Sequence, residues 1–141
     1  DLCHDLEVPM PEKKIGLFDR ILIDAPCSGI GVIRRNPDIK WRATQEDLDR
    51  QHDRQVRCLY QVSRHLKPGG VLVYAVCSMA SRETNEVISE FLKHDPGFEA
   101  LPIGSVMPRF KELASDSGFI RTFPHRHRMD GFFVARLRRN Q

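Results

Sequence analysis

Two apolar runs, each followed closely by a cysteine, set the pattern of the chain. Ile21, Leu22 and Ile23 are consecutive, and Val71-Leu72-Val73-Tyr74-Ala75-Val76 is a second unbroken run. Continuous rather than alternating apolar positions predict strands of a parallel sheet covered on both faces. The first strand is predicted over roughly residues 18–24. Asp24 closes it with a charge, Ala25-Pro26 prevents further regular pairing, and Ser28-Gly29-Ile30-Gly31 permits a tight turn. The second strand, over 71–76, runs straight into Cys77-Ser78. Each strand delivers a thiol at its carboxyl end, where open α/β sheets bind their ligands. The stretch between them has room for one long crossover helix, so the two strands can be parallel neighbours.

The remaining periodicity fills in around this pair. Leu48, Val56, Leu59, Val62 and Leu66 recur at helical spacing and predict a helix over about 45–66. Thr44-Gln45-Glu46-Asp47 reads as its capping box, and Lys67-Pro68-Gly69-Gly70 as its end. Cys58 lies off that stripe and reads as an incidental small residue. Val87, Ile88, Phe91 and Leu92 predict a second helix over about 83–94, with Ser81 a possible N-cap and Pro96-Gly97 its stop. A short strand is expected at 98–101, an aperiodic loop at 102–118, and two strands at about 119–123 and 131–138. The short link between that last pair predicts an antiparallel hairpin. Residues 1–16, with Pro9 and Pro11, read as a loop leading to the first strand. Asp1 or Asp5 is a candidate acid at the end of an earlier strand.

Composition narrows the class. A chain of 141 residues with 40% hydrophobic and 29% charged positions suits one domain with a real core. No segment approaches the roughly 20 apolar residues needed to span a bilayer, and no secretory signal opens the chain. The net charge of +3 is modest, but basic residues gather at Arg34-Arg35, at 40–42 and along 121–138, compatible with a nucleic-acid backbone as well as with a solvated surface. The four cysteines (Cys3, Cys27, Cys58, Cys77) have neither disulfide-scaffold density nor CxxC spacing. Free thiols in a cytoplasmic setting are expected, with no metal site.

Candidate chemistry sits in two places. Residues 25–43 form a long loop holding the sole tryptophan, Trp41, with Arg34, Arg35 and Lys40. Loops this long inside a compact domain are usually functional. An aromatic among cations suits a nucleotide base flanked by phosphates; the alternative packs Trp41 on the core and leaves the arginines in water. The second place is the pair of strand ends. Two thiols and the carboxylate of Asp24 suggest covalent catalysis, because a thiolate is a strong nucleophile even at a small population. A redox pair and two buried small hydrophobes are the competing uses.

Five segments together carry a family resemblance: Asp24-Ala25-Pro26-Cys27-Ser28-Gly29, then Arg34-Arg35-Asn36-Pro37-Asp38-Ile39-Lys40-Trp41, Leu66-Lys67-Pro68-Gly69-Gly70, Tyr74-Ala75-Val76-Cys77-Ser78, and Asp130-Gly131-Phe132-Phe133-Val134-Ala135. In this order, from about Phe18 to Leu137, the chain resembles the Nol/Nop/Sun family of RNA cytosine-5 methyltransferases. The resemblance implies an α/β fold: the carboxyl-terminal part of a Rossmann-like class I methyltransferase domain, with a mostly parallel sheet ending in an antiparallel hairpin. It implies S-adenosylmethionine as cofactor, contacted by Asp24, Pro26 and Asp1, and RNA as partner, with small-subunit (16S) ribosomal RNA first and tRNA or another RNA as the alternative. It implies that Cys77 attacks carbon 6 of a cytosine, that Cys27 helps remove the carbon-5 proton and release Cys77, and that Asp24 hydrogen-bonds the ring or lies beside the cofactor. Arg34, Arg35, Lys40 and Trp41 would hold RNA.

The chain departs from the family pattern at Val76, where the family has threonine. It departs again at Glu83-Thr84-Asn85-Glu86, which reads as Glu-Asn-Glu with one residue inserted, so no role is carried onto Glu83 or Asn85. The family's glycine-rich cofactor loop and amino-terminal RNA-binding domain have no counterpart in these residues. The whole of 1–141 is therefore expected to be the carboxyl-terminal portion of a catalytic domain, inactive by itself. A non-catalytic RNA-binding module, a thiol redox or metal-binding protein, and an amino-methyltransferase of the same fold are the rival readings. The last usually has a polar residue, two prolines and an aromatic where this chain has Asp24-Ala25-Pro26-Cys27.

Overall fold

The computed structural model describes residues 16–115 and 117–141. Strand β1 is Phe18–Asp24, the span the apolar run predicts. The loop after it contains a 3₁₀ turn, Ile30–Val32, and the one-turn helix α1, Ile39–Arg42. Helix α2, Gln45–Ser63, starts at Thr44, whose hydroxyl accepts from the Asp47 N–H while the Asp47 carboxylate accepts from the Thr44 N–H. This reciprocal capping box satisfies two amides that the first helical turn leaves without partners.

Strand β2 is Leu66–Val76, longer than expected at its start. The helix stops at Ser63, so Leu66 is a fully buried strand residue rather than the helix's last apolar position. It pairs with Phe18, and the β1–β2 register shifts between Phe18 and Arg20. The irregularity coincides with Pro68, which has no N–H to donate, and Gly69, at φ 75°. A 3₁₀ turn, Ser81–Glu83, takes the place expected for a Ser81 cap, and helix α3 is Asn85–His94. Strand β3, Phe98–Ala100, follows. The stretch expected to be an aperiodic loop contains helix α4, Ile103–Val106, and a 3₁₀ segment, Pro108–Leu113. Strand β4, Ile120–Arg121, the helical turn α5, Pro124–His127, and strand β5, Phe133–Arg139, close the chain.

The sheet order is β1-β2-β5-β3, with β4 also on β5. β1 and β2 are parallel neighbours, with Arg20 opposite Val71 and Asp24 opposite Ala75. β5 pairs antiparallel with β2, β3 and β4. The expected terminal hairpin is therefore present as β4–β5. Over the described residues the α/β sheet is mixed: it starts with the parallel pair β1–β2 and continues in antiparallel strands, with β5 lying between β2 and β3.

One face of the sheet carries the core. Leu72, Tyr74 and Val76 of β2 and Phe133, Ala135 and Leu137 of β5 are buried against Leu59 of α2 and Val87, Ile88 and Phe91 of α3. The other face departs from the two-sided burial that continuous apolar runs predict. Leu22 is 70% exposed while its neighbour Ile23 is buried. Among the described residues this second face meets Ile103, Met107, Phe110 and Leu113 across an apolar groove of about 870 Å³. No helix among the described residues is long and apolar enough to cross a membrane.

Candidate active site

Because β1 and β2 are parallel, their carboxyl ends share one edge of the sheet. Pairing continues one residue beyond β1, through the Ala25 N–H to the Ala75 carbonyl (2.9 Å). It stops at Pro26, whose carbonyl accepts from the side-chain amide of Gln55 on α2 (2.8 Å). Gly29, at φ 75°, adopts the left-handed conformation that turns the chain back. The Gly31 N–H then donates to the Cys77 carbonyl (3.0 Å), and the Gly131 N–H donates to the Gly31 carbonyl (2.8 Å). Three loops, after β1, after β2 and before β5, are thus bonded in series. Gly31 has no room for a side chain, since a Cβ there would lie 1.9 Å from the Gly131 oxygen.

This stacking brings Cys27 Sγ and Cys77 Sγ to 3.1 Å from each other, both partly buried and both free. The Cys27 thiol is pushed up to about 12, first by burial, then by its hydrogen bond to Cys77 and the charge there; Glu83 adds to the shift and a backbone bond from Gly29 opposes it. Two thiols in contact resist carrying two negative charges. Burial and the neighbouring Cys77 hold the proton on Cys27.

Glu83 is the residue the sequence reading left without a role. It is fully buried. Its Oε1 accepts from the Ser28 N–H (2.7 Å) and from Gln55 Nε2 (3.2 Å), and its Oε2 accepts from the hydroxyls of Ser28 and Ser78, each at 2.5 Å. Its carbonyl accepts from the Tyr74 hydroxyl (2.9 Å). Two signals pointed to this centre. Serine follows cysteine in both loops. His52 and Gln55, only 1% and 0% exposed, continue the stripe of α2 through Leu59 and Val62 where apolar side chains belong.

The other expected site residues are placed less closely. Asp24 is exposed at the end of β1, and among the described residues its carboxylate has no hydrogen-bond or ion-pair partner. Strand alternation puts it on the side of Leu22, away from the helices. Pro26 is exposed beside it. Asp1, Asp5 and Cys3 lie outside the described residues. Trp41 is 81% exposed with the Lys40 ammonium 5.0 Å from its ring, so it does not pack on the core. Arg34 is exposed, and Arg35 reaches across to Asp130 (2.5 Å), joining the basic loop to the link before β5. A polar pocket of about 340 Å³, lined by Cys27, Ser28, Asp38, Arg42 and Arg50 among others, opens between that loop and α2. Among the described residues no cluster of His, Cys, Asp and Glu is arranged to hold a metal ion. Cys58 is buried, as a small core residue.

A family model described as "16S rRNA methyltransferase RsmB/F" matches residues 2–138. The chain is 40% identical over 123 residues to a probable ribosomal RNA small subunit methyltransferase B of Bacillus subtilis (strain 168), covering 86% of this chain and 28% of that protein. It is 38% identical over 136 residues to ribosomal RNA small subunit methyltransferase F of Escherichia coli O9:H4 (strain HS), covering 95% and 27%. Among solved structures, PH0851 superposes with TM-score 0.76 at 35% identity, covering 84% of this chain and 26% of that one. NSun6 from Pyrococcus horikoshii, solved with SFG, superposes with TM-score 0.67 at 26% identity, covering 85% and 29%. The chain thus spans somewhat more than a quarter of the length of these relatives.

Proposed function

Since this chain belongs to the RsmB/F family of 16S rRNA methyltransferases, we propose that it carries the reactive end of an enzyme that methylates carbon 5 of a cytosine in small-subunit ribosomal RNA through a covalent cysteine–base adduct. The observation that carries this reading is the contact of two thiols, 3.1 Å apart, at the carboxyl ends of two parallel strands. Carbon 5 of cytosine is a poor nucleophile until something adds at carbon 6. The Cys77 thiolate adds there, and the π pair moves onto carbon 5, which takes the methyl group. A base then removes the carbon-5 proton. The pair left behind restores the double bond as the carbon–sulfur bond breaks, and its electrons return to Cys77.

Cys27 is the base in this sequence. Burial first, then the hydrogen bond to Cys77 and the charge there, keep the proton on Cys27. Bonding Cys77 to carbon removes that charge, so Cys27 gives up its proton to solvent more readily in the adduct than in the free enzyme. The acid–base group is thereby armed by the addition step. Asp24, with no partner among the described residues, offers an acceptor to the cytosine amino group or to a polar group of the cofactor. S-adenosylmethionine supplies an electrophilic methyl group when bound, and a relative solved with SFG, an S-adenosylmethionine analogue, supports its use. Asp24 and Pro26 face the cofactor in this reading, and Asp1 is a third contact. The exposed Trp41 beside Arg34, Arg35 and Lys40 suits an unstacked RNA strand, since the target base must leave its stack at a cost of a few kcal/mol.

We further propose that residues 1–141 are the carboxyl-terminal portion of the catalytic domain and are inactive alone; micromolar binding of S-adenosylmethionine to the 141-residue chain by calorimetry overturns that. The mechanism is tested in the full reading frame containing this chain, incubated with 16S RNA and cofactor and run on a denaturing gel. Cys27→Ala is expected to trap a stable protein–RNA adduct and Cys77→Ala to give none. Methylation that survives Cys77→Ala, with no adduct in any lane, makes the protein a different kind of methyltransferase, and RNA binding with neither methylation nor adduct in any lane makes it an RNA-binding module.

A further inference from the structure

We propose that Glu83 is a positioning residue which holds the two thiols in reacting register by clamping the serine that follows each of them. The inference rests on the two-thiol reading above. Glu83 ends the 3₁₀ turn in the loop after β2, six residues past Cys77, and reaches across to the loop after β1. Through Ser28 it fixes the residue next to Cys27, by both the backbone N–H (2.7 Å) and the hydroxyl (2.5 Å). Through Ser78 it fixes the residue next to Cys77 (2.5 Å). Gln55 ties the same carboxylate (3.2 Å) and the Pro26 carbonyl (2.8 Å) to α2, and the Tyr74 hydroxyl anchors the Glu83 backbone to β2 (2.9 Å). Both serine hydroxyls also accept from the amide two residues on, Ile30 N at 3.4 Å and Ala80 N at 3.2 Å, which points their protons at the carboxylate.

A fully buried carboxylate is costly unless its acceptor sites are filled, and here four uncharged donors fill them. A core would not retain such a group for packing alone when an apolar side chain of the same volume avoids the desolvation. What the carboxylate provides is four acceptor sites in one plane, shared between two loops that have no other side-chain bond to each other besides the thiol contact itself, among the described residues. Addition needs only Cys77 in place. Release needs Cys27 held against carbon 5 while Cys77 is bonded to carbon 6. Loosening the clamp therefore slows release more than addition.

The test uses the full reading frame with Glu83→Gln, which keeps the shape but turns one acceptor into a donor. We expect kcat for methylation to fall roughly 10- to 100-fold, the scale of an ångström-level misplacement, with KM for RNA unchanged. Adduct is expected to accumulate to a level between wild type and Cys27→Ala. Ser28→Ala, which removes the hydroxyl bond to Glu83 and the long bond from the Ile30 amide but keeps the Ser28 backbone bond to Glu83, is expected to accumulate adduct in the same way, and Ser78→Ala to slow adduct formation. Wild-type kcat and adduct levels in both Glu83→Gln and Ser28→Ala overturn the clamp. So does a loss of activity that only follows the folded fraction, or a raised KM at constant kcat. If Cys27→Ala traps no adduct, the two-thiol reading itself has failed, whatever Glu83 does.

Discussion

Gly31→Ala is the most exacting test of how the three loops meet. The new Cβ would lie 1.9 Å from the Gly131 oxygen and 2.8 Å from both the carbonyl carbon and oxygen of Cys77. An ordinary carbon–oxygen contact is about 3.3 Å, so the loop before β5 must retreat by more than about 1 Å. No flexible side chain can absorb this, because every nearest atom is backbone. The retreat breaks the Gly131-to-Gly31 bond and strains the Gly31-to-Cys77 bond. Each group left buried and unpaired costs about 1–3 kcal/mol, giving about 2–6 kcal/mol for the pair, against a typical total of 5–15 kcal/mol. Urea unfolding of the full-length protein should show a lower midpoint at unchanged slope. Gly16→Ala, whose Cβ meets nothing within 4 Å, is the control. A loss below about 0.5 kcal/mol, the range of ordinary surface changes, with full methylation activity, would refute the bonded stack as the feature that sets the thiol distance.

Cys27 also makes stability fall at high pH: its folded pKa of about 12 exceeds the unfolded value near 9.0, so its contribution is full below pH 9 and is lost as pH rises toward 12; unfolding curves across that window should show the loss in wild type and a smaller one in Cys27→Ala. Trp41→Ala should weaken single-stranded RNA binding by about 1–3 kcal/mol, the value of one base stacked on an aromatic ring, without moving the melting temperature, because the ring is 81% exposed; equal RNA affinity by fluorescence anisotropy assigns the loop another task. Thr44→Ala should cost about 1 kcal/mol through the lost capping box, read as a shift in urea midpoint, and should leave adduct formation untouched.

The parts of the fold legible in the sequence are those where one local rule acts alone. The run Ile21-Leu22-Ile23 bounded by Asp24 gives β1 and its end, and Thr44 with Asp47 gives the start of α2. Leu66 to Gly70 was harder, because a Pro-Gly-Gly segment reads as a terminator while pairing with Phe18 draws its first residue into the sheet. The insertion of β5 between β2 and β3 is a choice among edges that no local signal encodes. At the site, the paired strand-end thiols were legible because each follows an apolar run. Glu83 was not, since a glutamate at a helix start ordinarily faces water; only the tertiary meeting of Ser28, Ser78 and Gln55 makes its burial affordable. Trp41 was ambiguous in sequence, and the structure resolves it toward solvent.

The parallel pairing of β1 with β2 has a consequence that an antiparallel pair could not supply. Two antiparallel neighbours place their carboxyl ends at opposite edges of a sheet, so cysteines following each would stand a strand length apart. In parallel register, Asp24 lies opposite Ala75, and the chain beyond each strand leaves from one edge. Cys27 is three residues past that level on one side and Cys77 two residues past it on the other, which is the offset that a turn at Gly29 can close. β5 runs antiparallel to β2 with Val76 opposite Phe133, so it begins where β2 ends. Its entry loop arrives at the same edge and supplies Gly131 to Gly31 and Asp130 to Arg35. The mixed sheet thus converges three loops on one point with two strand directions, and each of the three contributes a bond without which the thiols have no fixed separation.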